Sequence, residues 1–269
     1  MAEKKLAIQA PESGEMNARG AMLELVSTMT YVALCVPAQM IYASGSSPEL
    51  LLTALFYTIV VGLITYAFRK ETVVQMNPTV SVTFALTGRI SLQQCLGNIV
   101  AQIAGGLIGI CFVAIWMNGS EDPNGLLGLT SGRVWDASAG RTFFSECVAT
   151  WLFILTVVQA THKSNKQGAF SSSMCIGFGY FVALLLTFGT TGGMINPARS
   201  FASAVGASVR NRSRDAAVRV AIKEIWRRHW ITWTAPLCGG FAAVAMDFII
   251  NQFPAKENTE AANWISEAV

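Results

Sequence analysis

Asn77-Pro78-Thr79 and Asn196-Pro197-Ala198 stand at corresponding places in two similar halves of a very apolar chain. Asn-Pro is a poor sequence for the middle of a helix and a good one for its start. Asn caps the first N–H groups, and Pro suits the first helical position, where an N–H is not needed. Each motif opens an apolar run, at about 77–87 and 196–207. At 1.5 Å per residue such a run makes about 17 Å of helix, half the length a bilayer requires. A helix that begins inside a membrane leaves its first N–H groups pointing at something, and irregular backbone before it is tolerated only around a cavity or within packed protein.

The rest of the chain supplies that packing. Of its 269 residues 52% are hydrophobic and only 13% charged, against about 25% charged in soluble domains. The deficit gathers in six runs of membrane-spanning length, at about 21–43, 49–68, 92–117, 142–161, 168–190 and 230–251. Glu24-Leu-Val-Ser-Thr matches Glu146-Cys-Val-Ala-Thr, and the Asn-Pro motifs follow 53 and 50 residues later. Ala101-Gln-Ile-Ala-Gly-Gly106 matches Ala235-Pro-Leu-Cys-Gly-Gly240. Each half has three spans, an odd number, so the second half is inverted and the half-helices enter from opposite faces to meet near the midplane. The expected architecture is an all-α membrane protein. It has a tail at 1–20, a membrane-embedded unit at 21–252 (halves at about 21–117 and 142–252, an insertion at about 208–229) and a tail at 253–269.

Lys4, Lys5, Arg19, Arg69, Lys70, Arg89, Lys163 and Lys166 fall on one side, which places both termini in the cytoplasm. The outer stretch 209–229 is basic too and breaks that bias. Within it Val218, Ile222, Ile225 and Trp226 are spaced as on a short amphipathic helix at the membrane surface. A solvated outer loop is the plainer role for it; a pore cap or partner site is the alternative. Sequons at Asn118 and Asn211 fall outside in this topology and are candidate glycosylation sites. The net charge of +3 gives no reason to expect nucleic acid. The six cysteines lack metal-ligand spacing and read as small core thiols. With no nucleophile–base set or phosphate loop, neither enzyme activity nor a cofactor is expected.

Each half-helix N-terminus carries roughly half a positive charge, and its cap places an amide there. Asn77 and Asn196 can donate to a polar guest at the centre, while the extended residues Gly192, Gly193 and Met194 offer carbonyls. Such a line exchanges hydration for protein hydrogen bonds with a neutral molecule and repels cations. Glu24 and Glu146, a symmetric pair of intramembrane acids, read as braces accepting N–H bonds from the loops before the half-helices rather than as proton relays.

These residues, above all Gly192-Gly-Met-Ile-Asn-Pro-Ala-Arg-Ser-Phe201, resemble the aquaporin, or major intrinsic protein, family over about residues 20–252. The resemblance implies six spanning and two half helices in a right-handed bundle, one pore per subunit, and a homotetramer in a lipid bilayer. It puts Arg199 at the selectivity filter, with Tyr57, Leu184 and Gly193 at the other filter positions. Strict water channels of the family usually have His where Leu184 stands, so Leu184 with the space left by Gly193 resembles a looser filter. Ser200, where glycerol channels usually have Asp, and Ala204 and Trp233 resemble the water type, while Thr232 does not. Thr79 replaces the usual Ala, and Arg69–Gln75 replaces a small-residue lead-in with bulkier groups that narrow or gate the inner mouth. The implied function is passive water conduction with exclusion of protons and ions. The alternatives are a glycerol, urea or ammonia facilitator, a closed junctional protein of the same fold, or a proton-coupled transporter using Glu24 or Glu146. A plasma membrane location is implied, with an organelle membrane as the alternative.

Overall fold

The computed structural model describes residues 16–42, 47–117, 138–162, 165, 167–210 and 216–252. Asn118, Asn211, the segments 1–15 and 253–269, and the basic residues among them lie outside the described residues. Those described form α1 (Ala18–Tyr42), α2 (Ser47–Phe68), α3 (Pro78–Leu86), α4 (Leu92–Trp116), α5 (Ala139–Ala160), α6 (Ala169–Thr187), α7 (Pro197–Arg210), α8 (Ala216–Arg228) and α9 (Ile231–Gln252). Among the described residues six apolar stretches are long enough to cross a membrane. The sixth reaches back to Val218, but α8 carries Arg219, Lys223, Glu224, Arg227 and Arg228, so α9 is the spanning part. The helix boundaries fall within about three residues of those expected.

Capping chemistry sets the ends. Asn17 Oδ1 accepts the N–H groups of Arg19 and Gly20 as α1 starts, Ser91 caps α4 through Gln94 N–H, and Ser138 caps α5 through Arg141 N–H. The half-helix α3 ends at Thr87, whose N–H bonds Thr83 O at 3.0 Å, and Gly88 then turns the chain at φ +66°.

The two halves are built alike and run in opposite directions. Helices α1 and α4 pack in parallel with Gly105 against the Leu25 carbonyl, and α5 and α9 repeat this with Gly239 against the Cys147 carbonyl. The next glycines receive the half-helices: Gly106 lies on Ala198 of α7, and Gly240 on Thr79 and Thr83 of α3. Across the halves, Gly177 of α6 lies on the Thr58 carbonyl of α2, while Gly62 of α2 lies on Ser173 and Met174 of α6. Thr58 therefore faces residue 177 and Gly62 faces residues 173–174. The repeat-related helices α2 and α6 are antiparallel, and the repeat is inverted.

The core between the halves includes Tyr31, Tyr57, Phe84, Phe153, Ile154 and Tyr180. Leu51, Leu55, Ile59 and Leu63 of α2, spaced four apart, are exposed, as are Phe112 and Ile115 of α4 and Phe248 of α9. In a chain with six spans these are the surfaces that hydrocarbon or a second subunit covers. Cys35 and Cys95 are buried, whereas Cys111 and Cys238 are exposed on the outside of the bundle, so not every thiol belongs to the core.

Candidate pore at the meeting of the half-helices

Helices α3 and α7 begin with the two Asn-Pro motifs and meet end to end. Asn77 is extended (φ −151°, ψ 122°), as a residue before Pro prefers, and its Oδ1 accepts Thr79 N–H at 2.9 Å. Asn196 Oδ1 accepts Ala198 N–H at 3.0 Å and Arg199 N–H at 3.3 Å. Each cap also reaches the other half: Asn196 Nδ2 donates to Met76 O at 2.7 Å, and Asn77 Nδ2 to Ile195 O at 3.4 Å. Both residues are 2% exposed.

The residue before each Asn is strained. Met76 has φ 56° and Ile195 φ 38°, a region that costs a residue with a Cβ about 1–3 kcal/mol. Two carboxylates hold the strained loops. Glu24 accepts Gln75 N–H at 2.6 Å and Met76 N–H at 2.8 Å. Glu146 accepts Ile195 N–H at 2.8 Å, Met194 N–H at 3.2 Å and the Thr191 hydroxyl. The halves then differ. Glu24 also accepts from Gln102 Nε2 at 2.8 Å, whereas the matching position in α9 is Pro236. From Gln102 a buried polar ladder runs through Ser81, Gln75, Asn98 and Gln94 to Asn17 N–H, at 2.6–3.0 Å per bond. Its members sit on loop and helix faces with no shared motif, and sequence reading missed it.

Thr79 packs its methyl into the space above Gly240, and its buried hydroxyl has no hydrogen-bond partner among the described residues. Thr79→Ala loses that packing and removes an unsatisfied hydroxyl, two effects of about 1 kcal/mol each and opposite sign. The expected melting temperature is unchanged within a few degrees. A drop of about 10 °C in a thermal melt would show the hydroxyl to be satisfied.

Tyr57, Leu184, Gly193 and Arg199 come together on the α7 side of the caps, and all are buried. Gly192 and Gly193 have φ values of 75° and 81°, which only glycine adopts readily. The expected open space at Gly193 is not there. A Cβ on Gly193 would collide with Leu184 Cδ2, so the Leu184 side chain already fills it. The remaining walls are aromatic. Tyr57 stacks on Tyr180 at 6.0 Å and 4°, and Tyr31 stands edge-on to both. The Tyr31 and Tyr180 hydroxyls are 2.6 Å apart. Arg199 Nη2 donates to Gln39 Oε1 and, at 3.5 Å, to the Tyr57 hydroxyl. Of the three carbonyl positions, Gly192 O accepts Gln39 Nε2 at 2.8 Å and Met194 O accepts Asn196 N–H.

The segment before α3 is anchored at its exposed start by Arg19–Glu71 at 2.5 Å, and Arg69 stacks on the Tyr66 ring at 3.7 Å. Val73, Val74 and Gln75 are buried. Residues 216–228 form a helix rather than a plain solvated loop. Ile225 is buried, Trp226 Nε1 donates to Ser208 at 2.9 Å, and Trp226 meets Phe201 edge-on at 6.1 Å. Apolar residues at helical spacing thus dock α8 on α7.

A family profile described as Major intrinsic protein matches residues 13–246, most of the chain. The chain belongs to the major intrinsic protein family. As a member of that family it is an integral membrane channel and not an enzyme. It is 29% identical over 235 residues to an aquaporin PIP-type of Atriplex canescens, covering 84% of this chain and 78% of that one. It is 33% identical over 177 residues to aquaporin PIP2-7 of Arabidopsis thaliana, covering 63% and 57%. With aquaporin-4 of Mus musculus it shares 25% over 226 residues, covering 83% and 64%. An X-ray structure of the aquaglyceroporin from Plasmodium falciparum superposes with a TM-score of 0.69 at 18% identity, over 84% of this chain and 93% of that one. This likeness concerns the fold. Major intrinsic proteins of both named kinds are thus similar to the chain, and the choice of cargo rests on its own residues.

Proposed function

We propose that this channel conducts water in single file and excludes ions, protons and larger solutes. The observation that carries the reading is the pair of cap amides, Asn77 and Asn196, at the N-termini of two opposed half-helices. A water molecule arriving there accepts N–H from the caps, turns its hydrogens outward, and cannot relay a proton past two positive helix ends. The constriction at Tyr57, Leu184, Gly193 and Arg199 sets the size limit. Leu184 filling the space beside Gly193 favours water over glycerol.

The same reading takes Glu24 and Glu146 as positioning residues, Gly192, Gly193 and Met194 as the backbone approach, and a homotetramer in the plasma membrane as the assembly. The exposed apolar stripe of α2 supports a subunit interface of that kind. Both termini then face the cytoplasm. Asn118 and Asn211 would be the glycosylation positions on the other side.

Stopped-flow light scattering on proteoliposomes tests the proposal. Osmotic shrinkage well above that of empty vesicles is expected, with glycerol, urea and ammonia uptake near background and no proton current. Faster glycerol or urea uptake than empty vesicles would convert the reading to a solute facilitator. Permeability no higher than empty vesicles, with folded protein, would favour a closed junctional role.

A further inference from the structure

We propose that Gln39 is a specificity-determining residue of the constriction, supplied by α1. The inference rests on the channel reading above. Gln39 lies two residues after Pro37, and a proline inside a helix removes a backbone hydrogen bond and bends the axis. Gln39 is 2% exposed. Every polar atom of its amide is engaged with the constriction. Oε1 accepts from the Tyr57 hydroxyl at 2.9 Å and from Arg199 Nη2, and Nε2 donates to Gly192 O at 2.8 Å. One amide therefore joins two side chains and one carbonyl from three different elements.

Its chemistry fits a filter. Leu184 offers no hydrogen-bonding group, and Gln39 acts on the constriction by holding the groups that do, Arg199, Tyr57 and the Gly192 carbonyl. Its oxygen holds the guanidinium in place without cancelling its charge, which preserves the barrier to cations. A carboxylate there would hold Arg199 more tightly and neutralise it, and would lose the N–H donated to Gly192 O. An apolar side chain of the same length would fill the volume and remove the bonds that Gln39 makes to Arg199, Tyr57 and the Gly192 carbonyl together.

Two variants separate these contributions, Gln39→Met and Gln39→Glu, each reconstituted beside the wild type and checked for folding by size-exclusion chromatography and thermal melting. In Gln39→Met the glycerol-to-water permeability ratio should change by about tenfold, the size expected for one hydrogen bond to a charged group. In Gln39→Glu water permeability should persist while a pH-sensitive dye inside the vesicles reports a proton leak absent from the wild type. A purely structural role for Gln39 would lower folding yield without moving either selectivity. Wild-type ratios and no proton leak in whichever variant folds would overturn the assignment. A wild-type protein that conducts nothing would overturn the channel reading itself, and Gln39 with it.

Discussion

Glu146→Leu is expected to collapse the second half-helix entrance and abolish conduction. The Glu146 side chain is fully buried, and its two oxygens take up the N–H groups of Met194 and Ile195 and the Thr191 hydroxyl. Leucine leaves both amides buried without an acceptor, at about 1–3 kcal/mol each. Those amides belong to the stretch where Gly192, Gly193 and Ile195 all have positive φ. Ile195 is β-branched and held there against its preference, so loss of the brace also releases strain by letting the loop move away from its present path. Asn196 follows directly and would leave Met76 O. A fall in melting temperature of about 5–20 °C is expected, from roughly 2–4 °C per kcal/mol in a chain of this size, with water permeability near that of empty vesicles. Glu146→Gln keeps one acceptor oxygen but turns an NH2 toward donors, and should fall between. A Glu146→Leu protein with wild-type melting and wild-type water flux would show that the carboxylate carries neither loop nor pore.

The fold was legible because its determinants are local and repeated. Apolar runs of about twenty residues, Asn before Pro, and Glu24 and Glu146 at nearly equal distances from the two motifs need no tertiary information. The spacing of Val218, Ile222, Ile225 and Trp226 likewise gave the periodicity of α8, but not its docking on α7. That docking depends on Phe201 and Ser208, which the same spacing does not mention. The constriction was legible only in part. Gly193 reads as open space on paper, because a missing side chain says nothing about which neighbour moves in, and Leu184 does. Gln39, Tyr31 and Tyr180 were invisible for a related reason. Gln39 and Tyr31 lie far from either motif in sequence, Tyr180 sits one turn before Leu184 with nothing to mark it, and a single polar residue in a span has no period. The one signal was a Gln two residues after Pro37, which marks a bent helix with an amide near the bend. The ladder from Gln102 to Asn17 breaks the repeat, since its counterpart to Gln102 is Pro236, so reasoning by symmetry points away from it.

The two close-packed glycines give the other large effect. Gly239→Ala would place a Cβ less than 3.0 Å from the Cys147 carbonyl oxygen and from Trp151 N, and Gly105→Ala would meet the Leu25 carbonyl in the same way. The colliding atoms are backbone, so no rotamer change relieves them and one helix of each pair must shift. Overpacking of this kind costs about 1–3 kcal/mol or more. The consequence exceeds local strain because Leu25 and Cys147 each follow a bracing glutamate. Moving α1 against α4, or α5 against α9, displaces Glu24 or Glu146 from the loop amides they hold. Melting should therefore drop by about 10 °C or more in each variant, and water flux should fall further than folded protein content. Gly140→Ala in the first turn of α5 is the control, since a Cβ there meets nothing within 4 Å, and it should leave both quantities unchanged. Equal melting for Gly239→Ala and Gly140→Ala would mean that the α5–α9 contact relaxes freely. Helix spacing and brace position would then not be coupled.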